Sequence, residues 1–383
     1  MKDNGSIWQA EAPWPRWDVT IIGAGIVGLS SAIYLKTLHP EWLVVVVERG
    51  AHPDGASIKN AGFACFGSPT EILSDLEMMG VSGVESLIRA RYLGLHTLMS
   101  LVDKSEMLFQ QTRSYELFGA EDESSFEQVM EALPTLNELV ANATGVKSVF
   151  ERQDEVITRM RLKRVLHVVT NRWEGTLHAG RMMAALVRQA YSKGVNIFWG
   201  YEMVDLQEQE DTVELHFRDR APFHTRKILF ANNGAASKWI PQLDVHPVRN
   251  QVLVTAPIKG LKLQGAFHMK EGYVYFRNIG SRVLIGGARH LDLEGSNTDC
   301  SGEIPQITQY LEQLLSEVIL DGGTPQIDYR WNGFLGVGKD KSPIIRMMTD
   351  QIGVAVRLGG MGVALGSWVG KQAAEMLSNF NHS

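Results

Sequence analysis

The stretch Gly23-Ala24-Gly25-Ile26-Val27-Gly28 constrains this chain more than any other. It follows an apolar run, Val19-Thr20-Ile21-Ile22, and opens a run of small and apolar residues reaching Leu35. A second apolar run, Leu43-Val44-Val45-Val46-Val47, ends in Glu48. Three glycines at this spacing, between a strand and a helix, have separate physical jobs. Gly23 allows the tight turn, Gly25 leaves bare backbone for a pyrophosphate, and Gly28 lets the helix lie close on the sheet. The helix start at Ile26, Val27 and Gly28 presents free N–H groups and the positive end of the helix dipole to phosphate oxygens. Glu48, twenty residues after Gly28, is spaced to accept hydrogen bonds from a ribose hydroxyl. Its neighbour Arg49 is counted with the cofactor-binding set. The segment is expected to hold the ADP half of a dinucleotide.

With 383 residues, 44% of them hydrophobic and 21% charged, the chain has enough apolar material for one large or two ordinary domains. A net charge of −6 offers no basic excess to neutralise nucleic-acid phosphates. Two cysteines, Cys65 and Cys300, imply no disulfide framework, and no spacing suggests a metal site. No run is long enough to span a bilayer. Residues 1–17, with Trp8 and Trp14, lack the basic and apolar regions of a signal peptide, so a cytoplasmic protein without integral membrane association is expected. Assembly into a homo-oligomer is left open.

Beyond Glu48 a turn-rich stretch leads into Lys59–Ser68, a run of small residues with aromatic punctuation that suits a loop packed against something flat. Helical spacing follows over 71–102 and 126–140, and an αβ unit over 180–199. Residues 202–207 and 213–217 read as paired strands, and Lys227–Phe230 as a strand ending in a glycine turn. The region 248–287 is strand-like and antiparallel in character. Within it, Tyr273-Val274-Tyr275-Phe276-Arg277 alternates so that one face is buried and the other lines a site. A helix is expected over 304–319, and a strand, glycine turn and helix from Ile352 onward. Nucleotide-binding elements are thus spread along the whole length, with strand-rich segments interposed.

On these residues the chain resembles the FAD-dependent D-amino-acid oxidase family, in its glycine oxidase and sarcosine oxidase branch. The resemblance covers about residues 17–380. It rests on Gly23–Gly28 with Glu48, Lys59-Asn60-Ala61-Gly62, Glu174-Gly175, Ala231-Asn232-Asn233-Gly234 and Val248-Arg249-Asn250-Gln251-Val252. Towards the C-terminus it adds Trp331-Asn332-Gly333, Lys339-Asp340-Lys341-Ser342-Pro343-Ile344 and Gly359-Gly360-Met361-Gly362. The resemblance implies an α/β (α+β) fold: an interleaved Rossmann-like FAD-binding domain (17–70, 156–240 and 332–383) and an antiparallel-sheet substrate domain (71–155 and 241–331). It implies one non-covalent FAD and a small-molecule substrate. It sets Asn60, Ala61 and Gly62, and Gly359, Gly360, Met361 and Gly362, near the flavin ring and ribityl chain. It sets Val204 by the adenine, and Asn233 and Gly234 near the cofactor. Competing readings make Asn60 a turn residue and the late glycines a means of close helix packing.

The implied chemistry is oxidation of the C–N bond of a small amine or amino acid by hydride transfer to flavin. An amino-acid substrate needs a cation for its carboxylate. The branch carries an Arg shortly after its Trp-x-Gly, whereas this chain reads Trp331-Asn332-Gly333-Phe334-Leu335-Gly336. Arg277 is the first replacement, with Arg249 and Lys341 behind it; its other reading is a charge at a strand end. Tyr273 and Tyr275 close the pocket or pack in the core. His268 and His290 are polar pocket residues or structural histidines. Cys65 reads as a small buried hydrophobe, with no motif for covalent flavin attachment. Alternatives are a 2-hydroxy acid or polyol-phosphate dehydrogenase, the flavin domain of a tRNA-modifying enzyme, and a non-catalytic flavin scaffold.

Overall fold

A computed structural model describes residues 16–320 and 323–379. Trp8 and Trp14 therefore lie outside the described residues. Two sheets of eight strands organise the chain.

The first sheet is built around β1 (Trp17–Ile22) and β2 (Val44–Glu48), which pair in parallel. Its order runs Ile344–Met347, Ile352–Val356, Arg220–Phe230, β1, β2 and Asn196–Trp199. A hairpin, Met203–Glu208 with Val213–Phe217, extends from Arg220–Phe230. The unbroken valines of β2 follow from its surroundings. Val44 and Val46 pack into one core with the helices, while Val45 and Val47 pack into a second, aromatic-rich core on the opposite face. Helix α1 (Ile26–Leu38) crosses from β1 to β2 on the helical side. The C-terminal helix Gly362–Asn379 returns to lie on α1. A Cβ at Gly366 would stand 2.6 Å from the Ile26 side chain, so the glycine there serves close helix packing. The helix Pro69–Leu101, broken at Gly80 by a φ of 68°, packs on the same layer.

The second sheet runs Ile327–Val337, His246–Thr255, Arg282–Gly287, Val274–Ile279, Ala266–Met269, Ser114–Phe118, His167–Asn171 and Phe150–Arg152. It is antiparallel except where Ala266–Met269 pairs in parallel with Ser114–Phe118, so the expected antiparallel sheet is in fact mixed. The parallel pair arises because these strands lie nearly 150 residues apart and meet by long crossovers rather than by a hairpin. The strand His167–Asn171 belongs to this sheet, although the expected division groups it with the cofactor-binding part. Val274 and Phe276 face the buried core of the second sheet, leaving Tyr275 and Arg277 on the other side, as the alternation indicated. A two-stranded ladder, Phe63–Ala64 with Gly175–Thr176, lies between the large sheets.

Candidate functional site

The glycine turn is shaped by close backbone contacts. A Cβ at Gly28 would stand 2.0 Å from the Gly23 carbonyl oxygen, so only glycine lets α1 approach the end of β1 this closely. Gly25 is the N-cap of α1, and Ser57 Oγ accepts from Ile26 N at 3.0 Å. The N–H groups of Val27 and Gly28 lack helical partners, as at any helix start. Glu48 bends back over the turn: Oε2 accepts from Ala24 N and Oε1 from Gly50 N, both at 3.0 Å. Each carboxylate oxygen keeps a lone pair for a ribose hydroxyl. Arg49 follows on the exposed side of the strand end. Beside Glu48, Tyr201 N donates to the Glu48 carbonyl, and Val204, 46% exposed, is the second residue of the hairpin.

The residues from Lys59 to Thr70 form a strap between the sheets, held along its length by side chains. Trp331 Nε1 donates to the Lys59 carbonyl at 2.9 Å. Asn60 builds the first bend: Nδ2 donates to the Ser57 carbonyl at 2.7 Å, and Oδ1 accepts from Gly62 N at 2.7 Å. Gly62 adopts a φ of +72°, and a Cβ there would meet the Leu177 carbonyl oxygen at 2.3 Å and Arg277 Nη1 at 2.8 Å. Arg91, 1% exposed, donates through Nη1 to the Phe66 carbonyl. Two buried carboxylates hold the far end. Glu174 accepts from Phe66 N and Gly67 N, and Glu116 accepts from Thr70 N and the hydroxyls of Ser68 and Thr70.

One face of the second sheet looks onto this strap. In register across it stand Glu116, His268 and Tyr275, with Arg277 further along the same strand. Phe63 packs edge-on against both the His268 and Tyr275 rings, at 5.2 and 5.7 Å. Tyr275 OH accepts from Asn250 Nδ2, and burial raises its pKa. Burial likewise pulls His268 down to about 4, and its Nε2 is enclosed without a partner. Arg277 donates from Nη1 to the carbonyls of Ala61, Gly62 and Leu177, and from Nε to Asn278, so it clamps the strap rather than ending a strand in solvent. Its Nη2 makes no hydrogen bond among the described residues. Burial lowers its pKa to about 10, and it remains a cation at neutral pH.

The other candidates are engaged elsewhere. Lys341 is paired with Glu71 and Asp75, and Arg249 reaches the carbonyls of Cys300 and Gly295. Burial works against the charge of Glu71, yet Arg91 and Lys341 outweigh it and hold the carboxyl at about 2. Tyr273 stacks with Arg289 and neighbours His290, away from the Phe63 contact. Cys65 is buried, and desolvation with the Glu174 carboxylate keeps its thiol protonated. Donor atoms of Cys65, Glu174 and His268 lie within 4.8 Å of one another. Both Glu174 oxygens already serve strap and sheet donors, so the carboxylate's first role is to hold the strap, and His268 stands beside it without a hydrogen bond from Nε2.

The expected flavin turn sits at the start of the C-terminal helix. Gly359 and Gly360 take left-handed φ values of +55° and +89°, and Gly359 N donates to the Gly336 carbonyl. Met361 N donates to the Leu358 carbonyl, and Gly362 then starts a helix whose first N–H groups lack helical partners. Asn233, left-handed at a φ of 53°, has a buried Oδ1 without a partner, and Gly234 packs against Pro247. This orphaned acceptor, the open helix starts and the Glu48 lone pairs form a donor and acceptor set that fits a dinucleotide. A groove of about 640 Å³ opens elsewhere, between Leu87, Trp368 and Met376, and none of these cofactor candidates line it.

Glu116, Glu174, Arg91 and Phe63 had no role assigned from the sequence. A lone carboxylate inside the apolar run Ser114-Tyr115-Glu116-Leu117-Phe118 was the available signal.

No helix among the described residues is long and apolar enough to cross a membrane. The probable oxidoreductase OrdL of Rhizobium meliloti (strain 1021) is 22% identical over 374 residues, 94% of this chain and 82% of that protein. Iminodiacetate oxidase (IdaA) from Chelativorans sp. BNC1 has a similar fold, with a TM-score of 0.75 at 20% identity over 94% of this chain and 95% of that one. Glycine oxidase from Geobacillus kaustophilus gives a TM-score of 0.75 at 18% identity over 95% of each chain. The family described as FAD dependent oxidoreductase matches residues 18–376, and the chain belongs to this DAO family of FAD-dependent enzymes.

Proposed function

We propose that this FAD-dependent oxidoreductase oxidises the C–N bond of a small amine or amino acid. The observation that carries the reading is the Arg277 guanidinium, held against Gly62 with Nη2 left over. In this reading, FAD lies between the glycine turn and the strap, without a covalent bond. The N–H groups of Val27 and Gly28 meet its phosphates, Glu48 its ribose, and the N–H groups of Gly360 and Gly362 its ring, with Met361 holding that turn. Arg49, Val204, Asn233 and Gly234 complete the surroundings. The expected division into a cofactor-binding and a substrate domain belongs to the same proposal, as does a cytoplasmic location.

Bound FAD supplies a two-electron acceptor for the hydride that leaves the carbon carrying nitrogen. The chain's own residues bind, orient and keep water out. With Nε and Nη1 spent on carbonyls, Arg277 offers one substrate-facing nitrogen, which grips a carboxylate at one end rather than side-on. Phe63, Tyr275 and His268 form an aromatic wall that lowers the local dielectric and strengthens that grip. His268 is neutral at pH 7, so it sets no positive charge beside an amine that must shed a proton before hydride leaves. The protonated Cys65 thiol is a poor nucleophile, which supports a dissociable flavin.

Anaerobic mixing of the purified flavoprotein with separate panels of amines, amino acids and 2-hydroxy acids tests the reading. The flavin bands should bleach with a C–N donor. Bleaching by hydroxy acids alone would replace the reading with C–O oxidation.

A further inference from the structure

We propose that Glu174 is a positioning residue that sets the Phe63–Ser68 part of the strap in place for the flavin. The proposal rests on the reading above that the strap faces the flavin, but not on the substrate class. Glu174 is 1% exposed, and its Oε1 accepts from both Phe66 N at 2.6 Å and Gly67 N at 3.1 Å. Its Oε2 meets the Ser114 hydroxyl of the second sheet. Its own carbonyl accepts from Arg113 N, and the next residue, Gly175, pairs with Ala64 of the strap. A single residue thus joins the second sheet to the strap through side chain and backbone together.

The polarity of the strap's supports is divided. Arg277, Trp331 and Arg91 take its carbonyls, whereas Glu174 and Glu116 take its amides. Truncating Glu174 would leave two buried N–H groups without acceptors, the costly way to lose a hydrogen bond. One Glu174 oxygen takes both amides and the other faces a hydroxyl that can give or accept a proton. An amide in the same place would satisfy the same partners. Burial lifts this carboxyl to about 7. Cys65 on the strap and His268 on the second sheet stand beside it, while Glu71 on the long helix and Arg277 on the second sheet act on the Cys65 thiol next to it and Arg91 on the Phe66 carbonyl.

The test compares Glu174→Gln and Glu174→Ala holoenzymes by FAD dissociation constant, flavin absorption bands and amide hydrogen exchange at Phe66 and Gly67. Glu174→Gln should hold FAD within about twofold of the unmodified protein, keep the bands in place, and lose any response of the bands to pH around 7. Glu174→Ala should weaken FAD binding about tenfold, shift the bands and speed exchange at both amides. If the Ala variant does not fold, the Gln variant decides alone. Retention of FAD with the pH response gone supports the proposal; weak FAD binding overturns it. Faster exchange in Glu174→Ala with unchanged FAD affinity and bands would also overturn it. A wrong amine assignment leaves all these readouts untouched and shows only in the substrate panels.

Discussion

The glycine turn and the strap face are built in opposite ways. The turn and its acidic partner come from one stretch, Gly23 to Glu48, whose contacts are mostly local. The strap face draws Trp331, Arg277, Arg91, Glu174, Glu116 and His268 from separate parts of the chain onto a dozen residues. A contiguous site is specified by spacing and backbone freedom. An assembled site is specified by which buried polar group finds which partner, and that depends on which distant segments are brought together.

The comparison breaks most sharply at Gly28. Replacement by Val drives a side chain into the Gly23 carbonyl, so loss of soluble folded protein, or a destabilisation of about 3 kcal/mol, is expected in thermal melts. A variant that melts normally and holds FAD would contradict the close approach. On the strap side, Arg277→Met should both loosen FAD and raise KM for a carboxylate substrate about tenfold or more, because clamp and grip share one guanidinium. Arg277→Lys keeps the charge but not the fork of donors, and should recover only part of the loss. An unchanged KM in stopped-flow reduction would remove Arg277 from the substrate site.

A subtler distinction lies in pH. Burial raises Glu116 and Glu174 to about 7, above their ordinary value of 4.5. Their contribution to stability is full below about 4.5 and lost as pH rises through 7. Glu71 runs the other way, held at about 2: its contribution is present above 4.5 and lost as pH falls towards 2. Melting curves between pH 4 and 8 should therefore show Glu174→Gln losing part of the decline on the alkaline side. An identical pH dependence in the variant would sink that assignment. The smallest expected effect is that of chelation. Incubation with EDTA should leave FAD content and melting temperature unchanged, whereas stoichiometric zinc in purified protein would give the Cys65–Glu174–His268 cluster another meaning.

Much of the fold was legible because periodicity and glycine spacing act locally. The paired valines of β2 and the αβ unit ending at Trp199 occur where the sequence pattern put them, and the alternating stretch does so from Val274, with Tyr273 left in the turn before the strand. Arg277 was legible as a charge on the site face, but its bonds to Ala61, Gly62 and Leu177 were not, since no local signal marks a carbonyl as an ion's partner. Lys341 illustrates the opposite error: a plausible cation whose charge is already taken by Glu71 and Asp75 on the long helix.

By itself, the sequence determined that a tight glycine turn joins the first strand to a closely packed helix, and that a returning glycine turn and helix complete the layer above it. Steric rules at glycine and the pairing of apolar residues with a strand or helix period operate within a few residues. Only the tertiary structure decided that one strap would be held from several distant segments, its carbonyls on two arginines and an indole and its amides on buried carboxylates. Those partners are chosen by the cost of leaving a polar group unpaired inside the protein, a cost that exists only once distant segments have excluded water together.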